Sequence, residues 1–159
     1  MFCSKLITPI GILLIKSSEN ALDFIGFDDE VDENPCEITE YAKLQLQEYF
    51  DGKRNSFDFP TEQTGTDFQK KVWDELLKIE LGKPISYASL SKRMNSPLAI
   101  RAIASANGKN KLMIAIPCHR VIGSSGDLVG YAGGLWRKKW LLEHEARMMN
   151  IGQASLLFT

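Results

Sequence analysis

Cys118, His119 and Arg120 stand in succession directly after an apolar run, Leu112–Pro117. A free thiol has a pKa of about 8.5 and becomes nucleophilic where a base or a positive charge favours the thiolate. A histidine beside it supplies such a base. Glu145, in the last helical stretch, can orient that histidine, completing a nucleophile–base–orienter set. Adjacent side chains of an extended segment point to opposite faces, so His119 serves Cys118 only across a turn or through a water. The plain alternative is a cysteine that is simply a small buried hydrophobe. Cys3, Cys36 and Cys118 are odd in number and widely spaced, and the two histidines, His119 and His144, lie far apart. Neither a disulfide framework nor a zinc site follows, so no metal and no other cofactor is expected. His144 reads as a surface histidine near a helix C-terminus.

The chain that must position these groups has 159 residues, 44% hydrophobic and 25% charged. This composition excludes disorder, a collagen-like repeat and a disulfide scaffold. The apolar runs are far shorter than the twenty or so residues that span a bilayer, so a soluble intracellular protein with no membrane partner is expected. The net charge of −1 hides a division. Residues 1–62 hold 5 basic and 13 acidic side chains, residues 63–159 hold 14 and 7. Between Leu81 and Lys139 ten basic residues face one acid, Asp127. Such an excess suits a polyanion, because each neutralised phosphate releases condensed counterion. It is also what a solvated basic face looks like.

The elements follow from periodicity and punctuation. Gly11–Ile15 and Ala21–Phe27 read as a strand pair around the Ser17–Asn20 turn. Asp28–Pro35 is an acidic loop, Thr39–Phe50 a helix stopped by Gly52, and Asn55–Thr64 a linker. Thr66 and Gln69 fit a capping box opening a helix on Phe68, Val72, Trp73, Leu76 and Leu77, which Gly82 ends. Ser86 caps Tyr87–Met94. Ser96 caps a second short helix with Pro97 at its first position, running to about Ala106. Two short helices across a small turn fit a helix-turn-helix or a generic helical hairpin. Leu112–Pro117 reads as a short strand, Ser124–Gly134 as loops, and Leu135–Glu145 as a final helix. Trp73, Trp136 and Trp140 read as core residues, Lys138 and Lys139 as a solvated face. The expected fold is α/β (α+β): a small strand-rich acidic domain over 1–62, then a mainly helical basic domain over 63–159.

Ile116-Pro117-Cys118-His119-Arg120-Val121 resembles the active-site signature of the O6-alkylguanine-DNA alkyltransferases. Pro84-Ile85-Ser86-Tyr87 resembles that family's segment entering the DNA-binding helices, and Ala99-Ile100-Arg101-Ala102-Ile103 its recognition helix. Asn107–Asn110 is similar to its turn toward the cysteine, Gly130-Tyr131-Ala132-Gly133-Gly134 to its substrate-pocket loop, and Trp140–Glu145 to its closing helix. The likeness covers about residues 65–147, with order and spacing in agreement.

The resemblance implies direct-reversal DNA repair. An alkyl group passes from guanine O6 to Cys118 in one irreversible turnover, with His119 assisting through water and Glu145 polarising it. Tyr87 matches the donor of a proton to the leaving guanine, and Asn110 an asparagine bracing the active-site turn. The base must be flipped out of the duplex, at a cost of a few kcal/mol. Arg101 matches the arginine that fills the vacated stack. Ala102, Tyr87, Ser89 and Arg120 join it as expected DNA contacts; Val121, Val129, Gly130, Tyr131 and Ala132 are the expected substrate pocket. Ala132 stands where some members carry serine, which implies one hydrogen bond fewer to guanine. The implied partner is double-stranded DNA carrying O6-alkylguanine, with O4-alkylthymine a second candidate lesion. The protein is expected to act as a monomer, in the cytoplasm, or in the nucleus of a eukaryote. Two other readings use the same residues: a lesion-binding protein without transfer, and a cysteine hydrolase built on Cys118, His119 and Glu145. The hydrolase leaves the basic half without a purpose.

Overall fold

The computed structural model describes residues 1–96 and 99–149. Pro97, expected to open the second helix of the hairpin, lies outside the described residues. The chain divides into two compact units, Met1–Thr64 with Lys111–Ala115, and Gly65–Asn110 with the chain from Ile116 onward.

The first unit is a three-stranded antiparallel meander carrying one helix. β1 (Phe2–Thr8), β2 (Gly11–Ser17) and β3 (Leu22–Phe27) lie in that order. Thr8 pairs with Gly11 across a two-residue turn, and Thr8 Oγ1 donates to the Gly11 carbonyl at 2.6 Å. Leu13, Leu14 and Ile15 of β2 are all buried, as a central strand covered on both faces requires. The free edge of β3 is closed by two extended segments. Leu22 bridges Thr61, and Ile25 bridges Leu112. Ile25 donates its N–H to Lys111 and accepts that of Met113, at 2.9 and 3.1 Å. This covering removes an exposed edge, and it explains why Lys111–Ala115 belongs to the first unit although sequence order places it in the second. α1 (Glu37–Phe50) packs on β1 and β2 through Ala42, Leu46 and Tyr49. It begins earlier than Thr39. Cys36 is the N-cap, and Thr39 sits in the first turn accepting the Cys36 N–H at 3.0 Å. Burying Leu46 contributes about 1.5–3 kcal/mol.

β1 is an element the sequence reading misses. Phe2–Thr8 mixes Ser4, Lys5 and Thr8 among its apolar residues, and alternation is blurred because both Cys3 and Ser4 are buried.

The second unit is mainly helical. Thr66 and Gln69 form the expected capping box of α2 (Asp67–Leu76), with Gln69 N–H to Thr66 Oγ1 at 3.1 Å and the return bond at 2.9 Å. The helix stops at Leu76, before Gly82. Trp73 donates from Nε1 to the Ala106 carbonyl at 2.9 Å, fixing α2 to α4 (Ile100–Gly108). α3 (Tyr87–Arg93) is capped by Ser86, which accepts the Ser89 N–H at 3.0 Å. The turn after it uses Asn95 at φ +53°, a conformation asparagine tolerates. β4 (Ile85–Ser86) and β5 (Val121–Ile122) form a short parallel pair. α5 (Leu135–Met149) runs on beyond Glu145. Among the described residues no helix is long and apolar enough to cross a membrane.

Three expectations about α5 fail. Trp136 is 58% exposed and lies under the Arg137 guanidinium, 4.6 Å from its centroid. Lys138, read as a solvated lysine, is 0% exposed. His144 is buried and stacked on Trp140 at 4.7 Å, not displayed at the surface.

Candidate active site

Leu112–Pro117 is not a strand beyond the Leu112 bridge. Ile114 takes φ +72°, and the Ala115 N–H closes on the Met113 carbonyl at 2.8 Å. A β-branched residue at this φ stores about 1–3 kcal/mol of strain. A second tight turn is centred on Pro117. Its φ −79° and ψ 65° with the Cys118 N–H to Ile116 carbonyl bond at 2.7 Å define an inverse γ-turn. Proline suits that place because its ring already fixes φ. The chain then enters a 3-10 turn, Cys118–Arg120. A turning backbone is the condition under which His119 need not point away from Cys118.

Asn110 holds this corner from below. Its Nδ2 donates to the Ile116 carbonyl at 2.9 Å, and its side chain hydrogen-bonds the Cys118 thiol. Cys118 is buried. Burial pushes its thiol up, while the Asn110 bond and the Lys138 charge act in the opposite direction.

After the cysteine in the chain comes a buried ionic cluster. His119 Nε2 is 2.7 Å from Glu145 Oε2, and neither side chain is more than 1% exposed. Arg120 adds Nε to Oε1 at 2.7 Å, NH2 to Oε2 at 3.1 Å and NH1 to the Ile79 carbonyl at 2.7 Å. Burial alone would raise the Glu145 carboxyl. The charge and hydrogen bonds of His119 and Arg120 overcome it and hold the group well below the usual carboxylate range. A carboxylate only accepts, so His119 carries its proton on Nε2. Nδ1 is buried and has no protein partner. The imidazole is thereby set to take a proton at Nδ1, with Glu145 ready to stabilise the cation. The expectation that Arg120 meets DNA is corrected by this arrangement, because its guanidinium is committed to Glu145 and Ile79 inside the unit.

Tyr87, at the start of α3, joins the cysteine through Asn107. Asn107 Nδ2 lies 3.0 Å from the Tyr87 hydroxyl and 3.2 Å from the Cys118 carbonyl. Burial raises the Tyr87 phenol, and the Asn107 bond works against that rise. The remaining expected residues fall in two groups. Arg101, Ala102 and Ser89 are exposed on α4 and α3. Val129, Gly130 and Ala132 are exposed on the loop before α5, whereas Val121 is fully buried in β5. Tyr131 turns inward. Its hydroxyl is buried without a partner, and a Cβ at Gly133 would lie 2.9 Å from its ring.

Two residues of the site escape the sequence reading. Lys138 Nζ donates to the Val129 and Gly130 carbonyls at 2.7 and 3.3 Å, tying the loop to α5. Burial brings its pKa down to about 8, an effect the Cys118 thiolate offsets in part. Its spacing from Leu141, Leu142 and Glu145 places it on their buried face, a signal that was present in the sequence. Asn107 enters the sequence reading only as the end of a helix and the start of the turn toward the cysteine, with no role in the site. Among the described residues no group of three His, Cys, Asp or Glu side chains is placed to hold a metal ion.

Two family profiles together match nearly the whole described chain. Residues 1–63 match the 6-O-methylguanine DNA methyltransferase ribonuclease-like domain, and residues 67–147 the DNA binding domain of the same family. The constitutive methylated-DNA–protein-cysteine methyltransferase of Bacillus subtilis is 44% identical over 137 residues, covering 79% of this chain and 83% of its own. The methylated-DNA–protein-cysteine methyltransferase of Methanosarcina barkeri is 40% identical, covering 91% and 97%. A Mycobacterium tuberculosis OGT solved in complex with DNA superposes with a TM-score of 0.84 at 37% identity, covering 93% and 94%.

Proposed function

The chain belongs to the 6-O-methylguanine DNA methyltransferase family, and from that premise we propose that Cys118 is the residue that receives the alkyl group. The protein is a methylated-DNA–protein-cysteine methyltransferase that repairs DNA by direct reversal. The observation that supports the assignment is the buried His119–Glu145 bond of 2.7 Å, which fixes the imidazole of the residue that follows Cys118 in the chain.

The steps balance without any other reactant. The Cys118 proton passes through a bridging water to His119 Nδ1, and the imidazolium is stabilised by Glu145. The thiolate attacks the alkyl carbon, so the carbon–sulfur bond forms as the carbon–O6 bond breaks. The departing guanine takes the electron pair and accepts a proton from the Tyr87 hydroxyl. The His119 proton then returns to Tyr87. The products are a cysteine thioether and unmodified guanine, and no step regenerates the thiol.

Arg101, Ala102 and Ser89 on the exposed face of α3 and α4 meet the duplex, with Arg101 occupying the place of the flipped nucleotide. The loop Val129–Ala132 encloses the base, and Val121, buried in β5, supports the site from within. Arg120 acts on the chemistry only by holding Glu145. Such a substrate places the protein where the chromosome is, in the cytoplasm or, in a eukaryote, the nucleus.

The test is intact-protein and peptide mass spectrometry after mixing with a duplex carrying one O6-methylguanine. One methyl on the Cys118 peptide, stoichiometric with restored guanine and absent from Cys118→Ser, is the expected result. Unchanged mass with retained binding to the lesion would make the protein a lesion binder and overturn the transfer reading.

A further inference from the structure

We propose that Asn107 is a positioning residue for the proton transfer: its carboxamide donates to the Tyr87 hydroxyl and to the Cys118 carbonyl, and so commits Tyr87 to donate its own hydrogen to the departing base. The inference rests on the reading of Tyr87 as the proton donor given above.

The orientation of the carboxamide follows from chemistry. Asn107 sits in the last turn of α4, 5% exposed. The Cys118 backbone carbonyl, 3.2 Å away, can only accept, so the end of the side chain that meets it must be the NH2. The same nitrogen is 3.0 Å from the Tyr87 oxygen. One N–H therefore serves the carbonyl and the other serves the hydroxyl. A hydroxyl that accepts at its oxygen keeps its hydrogen for a different acceptor. Were the amide reversed, its oxygen would capture that hydrogen and would also face the Cys118 carbonyl oxygen.

The bond strengthens as the reaction advances. As Tyr87 releases its proton, the oxygen becomes a phenolate, and a bond to a charged acceptor is about twice as strong as a neutral one. An interaction that grows between ground and transition state accelerates the step. It is needed here because the phenol is buried and sits near the thiolate, both of which oppose the anion. Asn107 Oδ1 is buried with no protein partner. A buried polar side chain carries a desolvation penalty that an apolar residue of the same shape would not, which marks its donor end as the part in use.

The experiment measures single-turnover transfer from an O6-methylguanine duplex to the full chain, in Asn107→Leu, Tyr87→Phe and the double variant. Asn107→Leu is expected to slow transfer by about 10-fold or more, the size of a lost bond to a charged group. In the Tyr87→Phe background the same substitution is expected to slow it less than about twofold, because residues that act as a unit are not additive. A second substrate, a 6-alkoxypurine with a less basic leaving anion, separates chemistry from packing. Both single deficits shrink there if they concern protonation, whereas a packing defect persists. Should Asn107→Leu fail to fold, Asn107→Asp keeps the shape and replaces the donor by an acceptor, and it is expected to be slowed at least as much. Full speed in Asn107→Leu or Asn107→Asp, or an equal loss with and without the Tyr87 hydroxyl, overturns the role of Asn107 while Tyr87 stands. Full speed in Tyr87→Phe itself overturns the reading of Tyr87, and this role with it.

Discussion

Glu145 accepts from His119 at Oε2 and from Arg120 at both oxygens, so one carboxylate fixes the histidine tautomer and neutralises a buried guanidinium. Glu145→Gln removes the charge and leaves Arg120 buried beside a neutral amide. Breaking a buried pair this way costs about 3–5 kcal/mol. The expected outcome is a large fall in the denaturant midpoint together with slow transfer. Arg120→Met, which removes the other charge, should also destabilise.

The same carboxylate governs the acid limb. Its pKa is depressed in the folded state, so its stabilisation is present above the unfolded carboxylate value and is lost as pH falls below it. Denaturant titrations from pH 6 to 3, a range chosen to bracket the unfolded value of about 4.3, should show stability falling steeply in the lower half. Glu145→Gln should flatten that fall. An unchanged slope would mean that other carboxylates dominate.

Lys138 gives the opposite sign. Its folded pKa is lowered to about 8, so between there and the unfolded lysine value the unfolded chain binds the extra proton. This group's contribution to stability therefore rises with pH through that window. The direct check is the 13Cε shift of Lys138 against pH. In Cys118→Ala the midpoint should move lower still, because the interaction with Cys118 that favours the ammonium is gone. Lys138→Met should also loosen the Val129–Gly130 loop, read as faster amide exchange there.

Alkylation itself should be felt in stability. Cys118 is 5% exposed, directly after the tight turn at Pro117, with Asn110 against its thiol. Added volume in such a packed place costs about 1–3 kcal/mol. The methylated protein is expected to melt below the free one, and a benzyl adduct below both. Calorimetry of the protein before and after one turnover decides this.

Arg101 separates base extrusion from chemistry. It is exposed on α4. Arg101→Ala should slow transfer from the duplex far more than transfer from the free alkylated base, so the ratio of the two rates falls. A proportional loss on both substrates would place Arg101 in the chemical step.

Much of this arrangement was legible in the residues. Thr66 and Gln69 announced their capping box, Ser86 its cap, and the Cys118–Arg120 motif its neighbours. Two kinds of feature were not. Local pattern does not show burial where a polar group is satisfied by a partner outside its own helix or turn: Arg120 by Glu145, and Lys138 by loop carbonyls eight and nine residues earlier. Propensity also favoured a strand through Ile114 and Ile116, where the backbone instead turns twice. No composition rule predicts a β-branched residue at positive φ, because it is held there by its surroundings rather than by preference.

The closing of the β3 edge by Lys111–Ala115 has a consequence for the order of assembly in the cell. A ribosome releases Phe2–Thr64 long before it has made the segment that finishes their sheet. At about 5–20 residues per second, the intervening Gly65–Asn110 takes on the order of several seconds to synthesise. During that interval the outer strand offers unpaired backbone groups to any neighbouring nascent chain. The hazard lies in translation, and a pause placed inside Gly65–Asn110 would lengthen it.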